Sequence, residues 1–307
     1  MMIKDKTQKG TLPAAELDIL LKFIKTHYWK DSFRNLKLPV LSSKEDWFVN
    51  TRRADYYTTV STIKRESVLD IGTGAGVISE ALSGSFKKVY SLEYSSEWVE
   101  FMSMRFRQEG IRNIRIIKGN AVELPFKANK FDLAVVNGVL EWVADFSPEG
   151  CPREIQLNFL KDIFRVLKTG GRIGIAIENR AYLRCFLGES PHGEPPFVVL
   201  MPRFLANYVC NKKLHKEYRN YIYSYWGYKK LLKEAGFNNI DIKLAVPNYY
   251  NPLFIVNFDK KSHQELAGNL STLATQNFIL KRLVNLLLHL GLLGYFEHSF
   301  YISGEKQ

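Results

Sequence analysis

A glycine-rich turn at residues 68–79, with the sequence VLDIGTGAGVIS, constrains the possible folds more than any other part of the chain. A short hydrophobic segment precedes three glycines at alternate positions, Gly72, Gly74 and Gly76. Glycine adopts positive φ angles without strain and has no Cβ atom, so a ligand can approach the backbone of such a turn. The pattern predicts a buried strand, a tight turn and the start of a helix.

Alternating strand and helix patterns extend from this turn to residue 179. Amphipathic periodicity predicts helices at residues 96–108 and 153–168, and the second is expected to stop at Thr169-Gly170-Gly171. Apolar segments predict five strands, at residues 67–72, 88–94, 114–119, 131–139 and 172–179. Strands that are apolar on both faces and separated by helices indicate a parallel sheet with helices on both sides.

The remaining segments complete the prediction of one α/β domain at residues 60–307. A helix is expected at residues 226–237, a sixth strand at 239–247, and a last strand at 299–306 on an antiparallel edge. The predicted fold is therefore a Rossmann-like, doubly wound, mostly parallel sheet of seven strands. Two insertions are added to this sheet, at about residues 180–224 and 248–298. A helical extension at residues 1–59 precedes the domain.

The composition limits the environment and the partners of the chain. Its three cysteines are widely spaced and form no CxxC pair, which indicates reduced cysteines in a cytoplasmic protein and predicts neither a disulfide nor a metal site. The formal net charge of +12 comes from scattered basic residues. A solvated basic face is the first interpretation, and binding of nucleic acid or another anionic partner is the alternative. The sequence leaves the oligomeric state open.

One segment, residues 278–296, has a helical stripe, and its apolar part at residues 283–296 is shorter than the roughly 18 apolar residues of a membrane span. The stripe consists of Leu280, Leu283, Leu287 and Leu290. We expect a helix packed on the domain, and the alternative is a contact with a membrane surface or a second copy of the chain.

The spacing of the glycines narrows the ligand class. A dinucleotide fingerprint, G-x-G-x-x-G, would need a glycine at position 77, where Val77 stands. The D-x-G-x-G-x-G pattern of residues 70–76 instead resembles the motif of class I S-adenosylmethionine-dependent methyltransferases. Three later segments are similar to motifs of that family in the same order: GNAVELPF at 119–126, FDLAVVNGVLEWV at 131–143 and VLKTGGRIGIAIEN at 166–179.

This resemblance implies S-adenosylmethionine as the cofactor and a set of residues that contact it. Glu93, at the end of the second strand, is expected to accept hydrogen bonds from both ribose hydroxyls with its two carboxylate oxygens. Asn120 stands where the family has an aspartate, and its amide oxygen is expected to accept a bond from the adenine amine. The other expected contacts are Asp70, Gly72, Thr73, Gly74, Gly76, Ala121 and Asn137.

The chain after the fifth strand resembles a bacterial subgroup of this family that is associated with surface-polysaccharide or glycan biosynthesis. The similarity lies at residues 176–196 and 223–252, although Tyr182 replaces a glycine and the acids near His192 are displaced. His192 is the predicted general base, since a histidine with a pKa near ~6.5 can accept a proton at neutral pH, and the alternative is an ordinary histidine of a surface loop. Glu178 and Asn179 are the other candidate catalytic residues, and they either face the acceptor or cap the loop.

Aromatic residues near these segments have two interpretations each. Trp142, which follows Glu141 after the fourth strand, either forms a wall of the pocket or packs in the core. Five tyrosines either stack on sugar rings or pack within a lid: Tyr221, Tyr223, Tyr225, Tyr249 and Tyr250.

The predicted function is O-methylation of a glycan or small-molecule acceptor. The sequence has no N-P-P-Y motif after the fourth strand and no Pro-Cys dipeptide, which argues against enzymes that methylate the exocyclic amines of bases or C5 of cytosine. Two alternatives remain. The net charge favours a methyltransferase that acts on RNA or another nucleic acid, and Asn120 supports a non-catalytic binding protein on the same fold.

Overall fold

The computed structural model describes residues 12–60, 64–147, 149–265 and 278–307, with side chains from residue 281 onward in the last range. The strands in these residues are β1 (Ser67–Ile71), β2 (Lys88–Glu93), β3 (Ile114–Lys118), β4 (Phe131–Asn137), β5 (Leu167–Glu178), β6 (Asn238–Val246), β7 (Phe254–Val256) and β8 (Ser299–Glu305). The α-helices are α1 (Ala14–Ile24), α2 (Ser32–Asn35), α3 (Pro39–Ser43), α4 (Glu45–Val49), α5 (Asp55–Thr59), α6 (Val77–Ser83), α7 (Ser96–Gln108), α8 (Pro152–Val166), α9 (Arg203–Leu214), α10 (Tyr225–Glu234), α11 (Lys260–Glu265) and α12 (Phe278–Leu290).

The strands form one mostly parallel sheet in the order β3-β2-β1-β4-β5-β8-β6-β7. Strands β1 to β5 are parallel to one another, while β8 is antiparallel to both of its neighbours, β5 and β6. Successive residues of a strand point to opposite faces, so Val68 packs in the cluster under α5 and α6 while Leu69 packs in the cluster under α8 and α10. The expected α/β fold with helices on both faces of the sheet is confirmed.

The prediction of seven strands is wrong, because the sheet has eight in the part of the chain that the structure describes. The additional strand, β7, pairs with β6 and lies within the predicted insertion at 248–298. Its three residues are too few to produce a recognisable pattern. The last strand was also expected at an edge, but β8 lies between β5 and β6. Its residues Ser299 to Gly304 are buried, which is typical of an interior strand.

Two other local predictions differ from the structure. Helix α8 ends at Val166 and β5 begins at once, so Thr169-Gly170-Gly171 lies inside the strand instead of capping the helix. The pairing with β4 shifts register in this part of the strand, because Phe131 pairs with Leu167 whereas Leu133 pairs with Arg172. The predicted insertion at 180–224 is also less irregular than expected, because it contains the 12-residue helix α9.

The N-terminal helices pack against the outer side of α7. Helix α1 buries Leu17, Leu20, Leu21 and Ile24 in one cluster with Phe101 of α7. The guanidinium of Arg105, also on α7, donates to Glu80 Oε2 and to the carbonyl oxygens of Phe48 and Ala75. Arg105 thus connects the extension to helix α6 and to the glycine-rich turn that precedes it.

Helix α12 packs on the domain through a face that differs from the predicted stripe. Val284 is fully buried and Leu287 is half-buried, but Leu283 and Leu290 are exposed. The side chain of Leu280 is not among those that the structure describes. None of the helices in the described ranges is both long and apolar enough to cross a membrane. Contact of α12 with a membrane surface or with a second copy stays a prediction.

Candidate active site

The glycine-rich turn between β1 and α6 has a backbone that other residues would not adopt. Gly72 and Gly74 have φ angles of +69° and +56°. A Cβ atom at Gly72 would lie 2.6 Å from Cγ2 of Val139, and one at Gly74 would lie 2.9 Å from Cη2 of Trp47. The turn therefore excludes side chains at both positions and keeps its backbone open at the N-terminus of α6.

Asp70 lies beneath this turn and joins three elements of the fold. Its Oδ2 accepts a hydrogen bond of 2.7 Å from Ser79 of α6, whose hydroxyl lies 2.6 Å from that of Ser91 on β2. Burial raises the pKa of Asp70 to about 6. Neither Asp70 nor Gly76 is part of the wall of the cavity described below. The structure therefore gives Asp70 a role in positioning the turn, and the expected cofactor contacts of Asp70 and Gly76 stay predictions.

Glu93 stands at the end of β2 and faces the glycine-rich turn. Its Oε2 accepts from the N–H of Gly74 at 2.9 Å, and its Oε1 accepts from the N–H groups of Tyr94 and Ser95 at 2.8 and 2.9 Å. A carboxylate accepts about four hydrogen bonds, so these three leave roughly one position, on Oε2. Both carboxylate oxygens were expected to accept from the ribose hydroxyls. In the structure Oε1 already accepts two hydrogen bonds, so only Oε2 can accept one more.

Asn120 follows β3 and also lines the cavity. Its Oδ1 accepts from the N–H of Val122 at 3.1 Å, which fixes the turn after the strand. Because this oxygen has a second lone pair, the bond to Val122 leaves it able to accept from one further donor. The expected role of Asn120 toward an adenine amine is compatible with this geometry.

Arg53 is a cavity residue that the sequence analysis did not find. Its side chain is buried, Nη2 donates to Oδ1 of Asn137 at 3.0 Å, and Nη1 donates to the carbonyl oxygen of Trp47 at 3.2 Å. Its Nε has no hydrogen-bond partner in the described chain. A buried guanidinium with a free donor beside a ligand cavity can bind an anionic group. Arg52 and Arg53 are adjacent in the sequence, and nothing in it showed which of them is buried.

A single cavity of about 520 Å³ joins these residues to the end of β5. One part of its wall is the glycine-rich turn with Glu93, and another part contains Glu178, His192 and the aromatic side chains of Trp142, Tyr249 and Tyr250. The predicted site residues in its wall are Gly72, Thr73, Gly74, Glu93, Asn120, Ala121, Asn137, Glu178 and His192. Cavities of roughly 300–1,000 Å³ are typical of small-molecule sites.

Asn179 takes the second of the two roles considered for it, that of capping the loop. It is fully buried, and its Nδ2 donates to the carbonyl oxygens of Tyr295 and Glu297 while its Oδ1 accepts from the N–H of Ala181. All of these partners are backbone atoms, and Asn179 is not part of the cavity wall. Its selection as a candidate catalytic residue stays a prediction, and this position outside the cavity wall does not support it.

Glu178 and His192 meet at the cavity wall and are surrounded by further acids. His192 Nε2 lies 3.5 Å from Oε2 of Glu178, and its Nδ1 lies 3.7 Å from Oε1 of Glu194. Glu141 lies close by and is fully buried, and neither of its carboxylate oxygens has a hydrogen-bond partner in the described residues. Tyr249 donates its hydroxyl to the other oxygen of Glu178, at 3.1 Å.

These acids change the protonation of the group. Burial alone would lower the pKa of His192, but the charge of Glu178 raises it to about 9. Burial raises the pKa of Glu141 to about 8, and the charge of Glu178 adds to this rise. Burial also favours the neutral form of Glu178, yet the positive charge of His192 lowers its pKa overall. The ordinary pKa that the sequence analysis assumed for His192 does not hold here, and the histidine is protonated at neutral pH.

Comparison with known proteins identifies the domain that carries this cavity. Residues 69–175, from β1 into β5, match the family model described as a methyltransferase domain. Residues 69–175 therefore form a methyltransferase domain. S-adenosylmethionine is its cofactor, and the residues present fit such a molecule: the turn is kept free of Cβ atoms, Glu93 can still accept a bond, and Arg53 has a free donor.

The curated relatives match this methyltransferase domain over part of their length. A demethylmenaquinone methyltransferase of Lactococcus lactis is 34% identical over 116 residues, which are 37% of this chain and 42% of the relative. Another of that name, from Oceanobacillus iheyensis, is 26% identical over 62% of this chain and 77% of the relative. The chain covers about half or less of the first two relatives, 42% and 51% of their length.

Solved structures show the same fold at low identity. A phosphoethanolamine N-methyltransferase 2 from Haemonchus contortus, solved with S-adenosyl-L-methionine, has a TM-score of 0.52 and 14% identity over 97% of this chain and 61% of that chain. A possible histamine N-methyltransferase from Thermotoga maritima has a TM-score of 0.50 and 17% identity over 91% of this chain and all of that chain. The methyltransferase domain is thus embedded in a fold that extends over most of the chain.

Proposed function

We propose that the protein transfers a methyl group from S-adenosylmethionine to a hydroxyl group of a small-molecule acceptor that binds beside Glu178 and His192. The observation that carries this proposal is the single cavity, whose wall includes both the glycine-rich turn with Glu93 and the Glu178–His192 pair. A methyl donor held at the turn and an acceptor held at the pair would then share one enclosed space, which excludes water and orients the two reactants.

The cofactor would be held by residues from three parts of the fold. The backbone of Gly72 and Gly74 would contact its amino-acid part, Oε2 of Glu93 would accept from the ribose, and Asn120 would accept from the adenine amine. The carboxylate of the amino-acid part is an anion, and the buried guanidinium of Arg53 offers its unpartnered Nε as a donor. Together these contacts would fix the cofactor at the carboxyl ends of the strands.

S-adenosylmethionine supplies an electrophilic methyl group: a lone pair of the acceptor oxygen forms the new C–O bond while the electrons of the S–CH₃ bond move onto sulfur. The hydroxyl proton becomes strongly acidic as this bond forms, so a carboxylate can take it. Glu178 fits that role, because its lowered pKa keeps it ionised and its Oε2 has no hydrogen-bond partner among the described residues. His192 would stabilise the ionised form of Glu178 and orient it.

The wall beside this pair favours a flat or ring-shaped acceptor. Trp142 contacts His192 with its ring at 4.9 Å between centroids and 73°, and Tyr249 and Tyr250 line the same part of the cavity. Aromatic side chains of this kind pack against sugar rings and against aromatic rings. The curated relatives act, by their names, on demethylmenaquinone, a small molecule, which supports this acceptor class without favouring a glycan.

A turnover assay tests the proposal. Purified protein is incubated with S-adenosylmethionine and a panel of monosaccharides, phenols and hydroquinones, and S-adenosylhomocysteine is quantified by chromatography. We expect its formation with at least one acceptor, and a decrease of about 10²-fold or more in kcat for Glu178→Gln. Glu189→Gln, an exposed acid of the neighbouring loop, should leave kcat unchanged. Methylation of RNA and of none of the small molecules would overturn the acceptor class.

A further inference from the structure

We infer that Glu141, Glu178 and His192 form a binding site for a divalent metal ion at the acceptor end of the cavity. The sequence predicted no metal, because its cysteines are widely spaced and form no CxxC pair; Glu141, Glu178 and His192 are far apart in the chain. In the structure, one donor atom from each of them lies within 4.8 Å of the other two. The metal site itself is independent of the proposed function. Only its consequence, the activation of an acceptor hydroxyl, rests on that function.

The donor atoms of this cluster are buried and have no hydrogen-bond partners. Both carboxylate oxygens of Glu141, Oε2 of Glu178 and Nε2 of His192 are in this state within the part of the chain that the structure describes. Glu141 is fully buried, and the side chains of Glu178 and His192 are 10% and 6% exposed. Buried polar atoms are nearly always paired, and an ionised carboxylate without a partner is costly. A cation between the three side chains would satisfy all of these atoms together.

The surroundings of the cluster resemble the support that metal ligands have in proteins. A ligating histidine usually faces a carboxylate with its other ring nitrogen, and ligating carboxylates are themselves hydrogen-bonded. His192 faces Glu194 with Nδ1 at 3.7 Å, so its Nε2 is left for the cluster. A cation that binds there would displace the proton of Nε2, because a ligating imidazole is neutral. The hydroxyl of Tyr249 donates a hydrogen bond to Oε1 of Glu178, which leaves Oε2 available to a cation. Glu178 and His192 therefore each face a neighbour with one atom and have the other atom available, while both oxygens of Glu141 are available.

The type of donor indicates the class of ion. Two carboxylates and one imidazole suit a divalent ion that accepts both oxygen and nitrogen ligands, such as Mn²⁺ or Fe²⁺, better than thiolate-bound or purely oxygen-bound ions. Three acids face one histidine here, so a divalent cation would also reduce the excess negative charge of the buried group.

The position of the site gives the ion a function. Glu178 and His192 line the cavity, whereas Glu141 lies behind them, so an ion held by all three would be reachable from the cavity. A bound divalent ion acts as a Lewis acid and lowers the pKa of a coordinated hydroxyl. With the ion bound, Oε2 of Glu178 would be a ligand and no longer the base. The coordinated hydroxyl would release its proton to water in the cavity before its oxygen attacks the methyl carbon.

A titration with Mn²⁺ alone tests the site. The full chain is freed of metal with a chelator, and bound Mn²⁺ is measured by the loss of its electron paramagnetic resonance signal. We expect one Mn²⁺ per chain, affinity at least 100-fold weaker in Glu141→Gln, and affinity about 10–100-fold weaker in Glu194→Gln. Glu189→Gln, an exposed acid of the same loop, should bind like the wild type. Glu141→Gln removes a charge but no volume, and its thermal unfolding verifies that it folds.

Binding of S-adenosylhomocysteine, measured by calorimetry on the same samples, separates the two proposals. If the wild type binds this nucleoside but no Mn²⁺, or if Mn²⁺ affinity is the same in Glu141→Gln, the metal site is wrong and the proposed function stands. If the wild type binds Mn²⁺ through Glu141 but does not bind S-adenosylhomocysteine, the metal site stands and the proposed function is wrong.

Discussion

Nε2 of His192 lies 3.5 Å from Oε2 of Glu178, although the two residues are in different segments, one in the loop after β5 and the other at the end of the strand. This contact brings a charged pair to the wall of the cavity. The pair lies at the carboxyl ends of the parallel strands, where ligands bind in folds of this type. The pair and the glycine-rich turn are therefore accessible to one bound donor and one bound acceptor.

Replacement of His192 should reduce turnover without reducing the affinity for the cofactor. His192→Gln removes the positive charge that keeps Glu178 ionised and oriented, and we expect kcat to fall by about 10²-fold. The dissociation constant of S-adenosylhomocysteine should change less than threefold, because Glu93 and the turn are untouched. His289→Gln, on the exposed part of α12, is the control. Equal loss of cofactor affinity and of kcat would contradict the assignment of His192 to the acceptor end.

Replacement of Arg53 should weaken cofactor binding. Arg53→Met deletes the donor proposed for the carboxylate of the amino-acid part, and a hydrogen bond to a charged group contributes roughly 1.5–3 kcal/mol, or about 10–100-fold in affinity. Arg52→Met changes the exposed neighbour and should have no effect. Calorimetric titration with S-adenosylhomocysteine provides the measurement, with thermal unfolding as the check on folding. Unchanged affinity in a folded Arg53→Met protein would exclude the proposed contact.

The stability of the cofactor-free protein should depend on pH through Asp70. Burial raises the pKa of Asp70 from 3.8 to about 6, so the folded state holds a proton that the unfolded state releases between these values. The contribution is fully present below pH ~4, is lost as the pH rises through ~6, and amounts to about 3 kcal/mol. Asp70→Asn should remove this loss and be more stable than the wild type at pH 7 but not at pH 4.

Urea unfolding at the two pH values provides the comparison for Asp70, and Asp18→Asn, at an exposed position of α1, is the control. If the difference between Asp70→Asn and the wild type is the same at both pH values, Asp70 does not hold the proton.

Arg105 should contribute strongly to the attachment of the N-terminal helices. Arg105→Ala leaves Glu80, which is partly buried, without its ion pair and leaves the carbonyl oxygens of Phe48 and Ala75 without a donor. Breaking a buried pair on one side costs about 3–5 kcal/mol of the free energy of unfolding. The neighbouring exposed residue provides the control, Arg107→Ala, which should cost less than about 0.5 kcal/mol. Equal effects of the two variants in urea unfolding would contradict this account.

Much of the cofactor end of the site follows from the sequence. The glycine turn needs positive φ, and Glu93 ends a strand beside it, so both features come from local patterns on adjacent parallel strands. Helix α7 has the predicted bounds, because its amphipathic pattern begins after a serine cap and ends before a glycine. The short strand β7 was missed since three residues show no periodicity, and β8 was misplaced because strand order is not encoded locally.

The acceptor end could not be predicted in the same way. Glu178 and Asn179 are both polar at the end of β5, and only the packing of the segment before β8 decides that one faces the cavity and the other caps the loop. The pKa of His192 depends on Glu194 in its own loop and on Glu141 and Glu178 in other segments, which no spacing rule connects to it. Arg53 enters the cavity from the N-terminal helices, and its burial depends on Asn137 and Trp47, which lie in other elements.

A crystal structure of the protein with S-adenosylhomocysteine tests the central claim most directly. The account predicts that the ribose lies within hydrogen-bond distance of Oε2 of Glu93, that the amino-acid part lies against Gly72 and Gly74, and that the sulfur atom faces Glu178 and His192 across the cavity. The account would be contradicted by a ligand bound elsewhere, or by a sulfur atom separated from the Glu178–His192 pair by the protein's own side chains.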